Sequence, residues 1–240
     1  MKIRRKTILI TLLVTLFYFS SFSYQFVKNA NVDLNSDGKI DAVSITISED
    51  GSSYTLKIND AKINGKFEDG ECDGFMVIDI DQSDKYKEIA VHTPGSSDDD
   101  LYAIYGYNEK EIYKMGELFR WPTFAQNGIV YVDDWMGFWE KTEKYVLNKE
   151  TRKLQKITQE FYYVGLEAIT KESFPIYKKR EFKEVVANLK PKSKILIVLC
   201  QPSQSDYQKN LYLIKSETNL LGWCNEKTLV NKVEGLPLAD

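Results

Sequence analysis

An internal repeat of 46 to 48 residues organises the first two thirds of this 240-residue chain. Acidic loops begin at Asp33 and again at Asp79, and each loop runs into an apolar, β-branched segment typical of a strand. The segment that begins at Ser53 is matched 48 residues later by the segment that begins at Leu101. Repeats of this length with several strands are typical of propeller blades or a related β-array.

A third, degenerate copy of the repeat begins at Asn127. It passes through a turn at Asn148 and ends in a predicted strand from Lys153 to Ile157. Three units are fewer than the four or more blades of a closed propeller. The sequence therefore predicts an all-β fold. Its repeat units form either a propeller completed by irregular strands or an open, sandwich-like array.

The acidic loop at Asp33 has the composition of a calcium-binding loop. Ca²⁺ takes six to eight oxygen ligands, and oxygen-bearing side chains at alternate positions can converge when the backbone wraps tightly. Gly38 permits the sharp turn, because a residue without Cβ tolerates left-handed backbone angles. The predicted ligands are the side chains of Asp33, Asn35, Asp37 and Asp41 and the carbonyl of Lys39.

Two observations separate this loop from an EF-hand. Position 12 of an EF-hand loop is a bidentate Glu, and here it is Ser44. No amphipathic helix precedes Asp33, and a predicted strand follows Asp41. The alternative is an Asx-rich turn that binds no metal, since Asp, Asn and Gly are also turn formers.

The second acidic loop is a weaker metal candidate. It has Ser83 at the fifth position, lacks the glycine and holds one extra residue before Glu88. Its predicted ligands are Asp79, Asp81, Ser83 and Glu88. The third copy of the repeat has lost the motif.

The D-x-N-x-D-G-x-x-D loop leading into a strand resembles the FG-GAP/VCBS repeats of integrin-type β-propellers. In that family the loop joins two strands of a blade and holds calcium as a structural element. The resemblance implies a structural Ca²⁺ held by positions 33, 35, 37, 39 and 41, within a repeat domain over residues 30–163.

Residues 1–23 have the features of a secretory signal peptide. A basic start is followed by an apolar core from Thr7 to Phe19 and by small residues at Ser21 and Ser23. An uncleaved N-terminal anchor is the alternative, although the apolar stretch is shorter than the ~20 residues of a membrane span. Both alternatives predict an extracellular or cell-surface protein of a Gram-positive-type bacterium, with membrane contact only if the leader is uncleaved.

Charge and cysteine content argue against two function classes. The formal charge is −3, and about −7 once the four basic residues of the leader are removed, with no basic cluster for nucleic acid. The three cysteines lack C-x-x-C spacing and there is a single histidine, His92, which argues against zinc. An odd number of cysteines also predicts no disulfide framework.

From about Leu166 the pattern changes to short predicted strands separated by turns. A lysine-rich turn precedes an apolar strand at Ile195, and Tyr212-Leu-Ile-Lys and Gly222-Trp223 follow. This pattern resembles the bacterial Src-homology-3-like domain, apart from Ser193 where a turn glycine is usual. The resemblance implies a small β-barrel over residues 166–233, a C-terminal tail over 234–240, and attachment to peptidoglycan or another wall polymer.

Three residue predictions follow for this second module. Tyr207 and Tyr212 are the candidates for an exposed ligand surface, and Trp223 is expected in the barrel core. A fragment that starts at Leu166 is expected to fold alone. In the barrel order that the resemblance implies, the strands of Cys200 and Cys224 flank the Tyr212 strand, too far apart for a disulfide.

Two functions compete. The first is a non-enzymatic binding protein whose partner is a cell-wall polymer or an extracellular protein. The second is an exported cell-wall or polysaccharide hydrolase, with acid pairs such as Glu71 and Asp73, or Asp133 and Asp134. Neighbouring residues of a strand point to opposite faces, which argues against the second pair. No motif gives His92 a Ser or Cys partner, and the segment from Thr93 to Asp100 is expected to be a solvated hairpin connection.

Overall fold

The structure, a computed structural model, describes residues 25–68, 70–96, 99–203 and 209–238. The leader predicted over residues 1–23 lies outside the described residues, and so do Asp98 and Tyr207. The regular secondary structure of these residues is almost entirely β-strand, with one short helix, which confirms the all-β class. In the described ranges, no helix is long and apolar enough to cross a membrane.

Residues 29–157 form three four-stranded antiparallel sheets, and in each sheet every strand pairs with the next one in the chain. The first sheet contains β1 (Asn29–Val32), β2 (Asp41–Ile47), β3 (Ser53–Ile58) and β4 (Ala61–Lys66). The second contains β5 (Gly74–Ile78), β6 (Glu88–Thr93), β7 (Leu101–Tyr107) and β8 (Ile112–Phe119). The third contains β9 (Thr123–Phe124), β10 (Ile129–Trp135), β11 (Glu140–Asn148) and β12 (Lys153–Ile157). Up-and-down order thus occurs three times in succession.

Burial along the strands shows that the second sheet is the middle one. In β2 the apolar residues Val43 and Ile45 are buried and alternate with more exposed polar residues, as expected for a sheet with one covered face. In β6 all six residues are buried. Ile89 of β6 belongs to a core shared with the first sheet, whereas Ala90 belongs to a core shared with the third. The three sheets therefore stack face to face.

The same backbone hydrogen bond joins successive sheets. Lys87, just before β6, donates its N–H to the carbonyl of Leu34 in the first acidic loop at 2.8 Å. Gly128, just before β10, donates its N–H to the carbonyl of Ile80 in the second acidic loop, also at 2.8 Å. Each acidic loop thus contacts the start of the second strand of the following sheet.

The C-terminal part is one antiparallel sheet of seven strands in the order β15-β14-β18-β17-β16-β13-β19. Its strands are β13 (Tyr162–Thr170), β14 (Phe174–Tyr177), β15 (Val185–Leu189), β16 (Lys194–Gln201), β17 (Leu211–Ser216), β18 (Leu221–Asn225) and β19 (Val233–Glu234). A short helix, α1 (Glu226–Lys232), begins after Asn225, which caps it by accepting the N–H of Thr228. Among the described strands the two edges, β15 and β19, do not pair, so the sheet is open.

The boundaries of this sheet differ from those predicted. β13 begins at Tyr162, so the expected boundary at Leu166 falls inside a strand. Glu234, expected in a tail, pairs with Ile169 of β13. A β-bulge between Tyr163 and Leu166 breaks the alternation there, which explains why the sequence pattern hides the start of this strand.

The hairpin loop between β10 and β11 joins the third sheet to the C-terminal one. Phe138 and Trp139 of this loop are buried within the C-terminal core, and the Phe138 ring lies 5.4 Å from the ring of Tyr212. Trp139 donates its indole N–H to the Tyr212 hydroxyl at 3.2 Å. The C-terminal sheet thus completes its core with side chains from the third sheet.

All three cysteines should remain reduced. Cys200 and Cys224 pair with Tyr212 from opposite sides, which confirms that their strands flank β17. Strands two places apart are ~9.5 Å from each other, beyond the ~7 Å Cα limit for a disulfide. Burial raises the pKa of Cys200 to about 12 and that of Cys72 to about 11, so both thiols are poor nucleophiles. Alkylation after unfolding without reductant should label three thiols, and a mass spectrum with a 200–224 linkage would contradict this.

Candidate metal centre

The first acidic loop folds around its own side-chain oxygens. Asp33 accepts backbone N–H groups at both carboxylate oxygens, from Gly38 at 2.9 Å and from Asn35 and Asp37 at 3.3 Å. Asn35 accepts the N–H of Asp37 at 3.0 Å, and Asp37 accepts that of Lys39 at 2.8 Å. The side-chain oxygens at alternate positions therefore bond to the backbone of their own turn, and their convergence on a metal ion stays a prediction.

Asp41 anchors this loop to the sheet. Its Oδ2 accepts the N–H of Leu34 at 3.0 Å and its Oδ1 accepts the side-chain amide of Asn59 at 2.7 Å. Gly38 has φ of +83°, the left-handed conformation expected for the sharp turn. The side chain of Lys39 is 85% exposed, with its Nζ 3.8 Å from Asp37 Oδ2, so only the backbone of Lys39 belongs to the loop interior.

The donor set suits a hard cation. Desolvation raises the pKa of Asp33, but the backbone N–H groups, led by that of Gly38, outweigh it and lower the pKa below its usual value. All candidate ligands are oxygens, which Ca²⁺ prefers. Within the described residues no group of three or more Asp, Glu, His or Cys side chains is placed to hold a metal ion, and the carboxylates of Asp33 and Asp37 bond to N–H groups of the loop.

The second acidic loop has the same frame. Glu88 stands at the start of β6 as Asp41 stands at the start of β2, and its Oε2 accepts the N–H of Ile80 at 3.1 Å as Asp41 accepts that of Leu34. Asp81 takes the position of Asn35 and accepts both the N–H and the hydroxyl of Ser83. The extra residue and the missing glycine leave this frame intact.

Cationic side chains of the third sheet neutralise the second loop. Lys149 Nζ lies 2.8 Å from Oδ2 of Asp81, which is only 2% exposed. Arg152 donates to Glu88 Oε1 at 3.0 Å and to Asp84 Oδ2 at 2.6 Å. No local sequence pattern indicates either cation, because both lie more than 60 residues further along the chain, in the turn between β11 and β12.

The carboxyl groups of Asp81 and Glu88, both in the second acidic loop, have pKa values shifted in opposite directions. Hydrogen bonds from Lys149 and Ser83 lower the pKa of Asp81 to about 2. Desolvation raises the pKa of Glu88 to about 7, against the opposing effects of the Ile80 N–H and of Arg152. Desolvation also raises the pKa of Asp79, whose Oδ1 is buried.

The β7–β8 turn of the second sheet corresponds to the β11–β12 turn of the third sheet, but it has an acidic residue where the third sheet has Lys149. Asn148 caps the β11–β12 turn by accepting two backbone N–H groups, and Asn108 caps the β7–β8 turn in the same way. The residue after each cap is Lys149 in the third sheet and Glu109 in the second. Lys149, which pairs with the second acidic loop, therefore stands at the turn position where the second sheet has the acidic residue Glu109.

The ligand surface predicted in the C-terminal module is wrong for Tyr212. Its side chain is 0% exposed because it faces the core between Cys200 and Cys224. Tyr207 lies outside the described residues. Trp223, expected in the core, is on the opposite face of the sheet and only half-buried, because the residue next to buried Cys224 points outward.

His92 is held in a buried aromatic cluster. Its Nδ1 lies 2.8 Å from Asp73 and its Nε2 3.3 Å from Asp100, while its ring stacks on Phe26 at 3.9 Å. Asp100 also accepts the N–H of Gly95, so the expectation of a solvated connection is wrong for this end of the loop. His92 is buried among side chains that position it, which is an arrangement typical of a structural histidine.

Three of the four acids considered for hydrolysis have polar partners of their own. Asp133 bonds to the hydroxyl of Thr142, whereas Asp134 pairs with Lys141 at 2.8 Å. Asp73 faces His92. Comparisons with protein-family models, with curated proteins and with solved structures gave no match for this chain.

Proposed function

We propose that this protein is an exported, non-enzymatic cell-surface or cell-wall binding protein whose repeat domain holds a structural Ca²⁺ in the loop from Asp33 to Asp41. One observation carries the calcium assignment: the two loops share one hydrogen-bonded frame, but among the described residues the buried carboxylates of the second loop pair with cations of another sheet, whereas the first loop has only the exposed Lys39 of its own turn, 3.8 Å from Asp37. Lys149 and Arg152 supply the positive charge at the second loop. The first loop has the oxygen donors, and an external cation would serve it as those side chains serve the second.

The fold supports a propeller-like repeat domain. Three sheets of identical strand order stack face to face, and equivalent hydrogen bonds link each acidic loop to the next sheet. A bound ion would rigidify the loop that connects β1 to β2, and this loop contacts the second sheet through the bond between Leu34 and Lys87. The C-terminal sheet, as an SH3-like module joined to this body through Phe138, would carry the affinity for the wall polymer.

Calcium should stabilise the repeat domain, and Asp37→Ala should abolish that effect. An ion that binds only the folded state adds RT ln(1 + [L]/Kd), which is ~2.7 kcal/mol at 100 times the Kd. Asp37 contributes a charged oxygen in the middle of the turn, so its replacement should lower the affinity of the loop for Ca²⁺. The measurement is the melting temperature of the mature protein with calcium and with chelator.

Asp50→Ala is the matched control for this experiment. Asp50 lies in another turn of the same sheet and bonds to Ser48 and Ser52, away from the acidic loop. The calcium-dependent rise should persist in that variant. Equal behaviour of the two variants, or no calcium effect on the unmodified protein, would refute the assignment.

Sedimentation of the mature protein with purified cell walls tests the binding role. We expect retention without turnover of the wall, and weaker retention with chelator if the repeat domain contributes. Release of soluble wall fragments would favour the hydrolase instead.

A further inference from the structure

The outer face of the C-terminal sheet carries a continuous row of apolar side chains. Residues directly opposite one another in neighbouring strands share a face, and the register connects five strands. We call the set Tyr163, Leu199, Leu213, Trp223 and Tyr177 the outer row.

The outer row is open to solvent, unlike the row behind it. The adjacent row, with Cys200, Tyr212 and Cys224, is buried in the core. In the outer row Tyr163 is 76% exposed and the other four residues are half-buried. Gly165 has φ of +70°, and a side chain at this position would collide with the Tyr163 ring, so the bulge makes room for this exposed aromatic residue.

A cationic group lies directly on this aromatic surface. The guanidinium of Arg180 is 5.9 Å from the Trp223 ring centre and 5.7 Å from that of Phe161, within the range of cation–π contact. Its Nη1 also donates to Glu160 and Gln201, at 2.8 and 2.9 Å. A guanidinium has five N–H donors, so the group can receive an anionic oxygen while it keeps these bonds.

The charge of the chain is divided between its two parts. Residues 162–238 contain 12 Lys and Arg against 8 Asp and Glu, a formal charge of +4. Residues 25–161 contain 16 against 26, a formal charge of −10. An anionic polymer is therefore attracted to the C-terminal sheet and repelled by the rest of the chain.

We propose that the outer row binds an anionic polysaccharide, an inference that rests on the proposed wall-binding function and locates it. The C–H faces of sugar rings pack on Tyr163 and Trp223, and acidic groups of the polymer pair with Arg180. Tyr163 and Trp223 lie three strands apart, which is ~14 Å at ~4.8 Å per strand. The site therefore spans several sugar units, and the polymer crosses the strands.

The test is sedimentation with purified Gram-positive walls before and after chemical removal of their anionic polymers. Full-length mature protein should bind intact walls, and stripped walls should retain little of it. Tyr163→Ala should weaken binding roughly tenfold, the range of an interface aromatic anchor. Arg180→Gln should weaken binding and flatten its salt dependence. Soluble polygalacturonate should compete, whereas neutral dextran should not.

Tyr131→Ala is the matched control, since Tyr131 is an exposed tyrosine of the third sheet. It should bind like the unmodified protein, and melting curves of all variants verify folding. Retention on stripped walls, loss of retention after protease treatment of the walls, or unchanged binding by Tyr163→Ala and Arg180→Gln would each overturn this site alone. If the unmodified protein binds no wall, the proposed function fails with it.

Discussion

Replacing Phe138 by alanine should lower the free energy of unfolding of the C-terminal sheet by about 3–5 kcal/mol, the usual cost of removing a buried phenylalanine ring. Phe138 is 0% exposed and packs on Tyr212 at the centre of that sheet, although it belongs to a hairpin of the third sheet. The ring fills a space that the C-terminal residues leave open. Its loss creates a cavity that a hairpin from another sheet can close only partly.

Equilibrium unfolding in urea, with amide hydrogen exchange on β16 and β17, measures this effect and locates it. Phe119→Ala is the control, because Phe119 is exposed at the end of β8 and its loss should change stability by less than about 0.5 kcal/mol. If the two variants unfold alike, Phe138 is not part of the C-terminal core. If protection falls in the third sheet only, the two parts are not coupled through this hairpin.

The same contacts change the expectation for an isolated C-terminal fragment. The sequence predicts that a fragment from Leu166 folds alone. In the structure that fragment lacks Tyr162, which begins β13, and it lacks Phe138 and Trp139. We therefore expect the fragment from Leu166 to lose its cooperative melt, because three large side chains of its core are absent.

Local patterns predict those strands whose boundaries are marked by turn residues. The strand from Lys153 to Ile157 has the predicted bounds, because alternating residues and the Asn148 turn are local signals. In the first acidic loop the side chains of Asp33 and Asn35 accept N–H groups of their own turn, because a tight turn brings alternate positions close to its backbone. The outward direction of Trp223 was missed, since composition does not fix which face a strand residue takes.

Long-range contacts could not be predicted from the same signals. The pairing of Glu88 with Arg152 joins residues 64 positions apart, and the contact of Trp139 with Tyr212 joins residues 73 apart. Neither pair leaves a local pattern, because each side chain sits in an ordinary turn or strand. Their partners follow only from how the sheets stack.

Replacing Arg152 by alanine should lower the free energy of unfolding at pH 8 by about 2–3 kcal/mol, because it removes the cation that pairs with buried Glu88 and breaks the bond to Asp84, while protonation of Glu88 limits the cost of the lost pairing. Glu88 is 1% exposed, and Arg152 also bonds to Asp84 and lies over the Tyr86 ring. Lys178→Ala is the control, since it breaks an exposed ion pair with Glu184 that is worth about 0–1 kcal/mol. Urea unfolding at pH 8 should separate the two variants clearly.

The pH dependence of the stability lost in Arg152→Ala tests whether Glu88 is the carboxyl group that Arg152 compensates. The pKa of Glu88 in the folded protein is about 7, above its usual value, so its protonation contributes stability that is complete below pH ~4.5 and is lost as the pH rises through about 7. Without Arg152 that pKa rises further, and the cost of the substitution should grow between pH 5 and pH 8. The cost that remains at pH 5 reports the lost contacts with Asp84 and with the Tyr86 ring. Glu88→Gln in the Arg152→Ala background should recover part of the stability at pH 8, because a neutral side chain can still accept the Ile80 N–H. An equal loss at both pH values would show that Glu88 is not the group that Arg152 compensates.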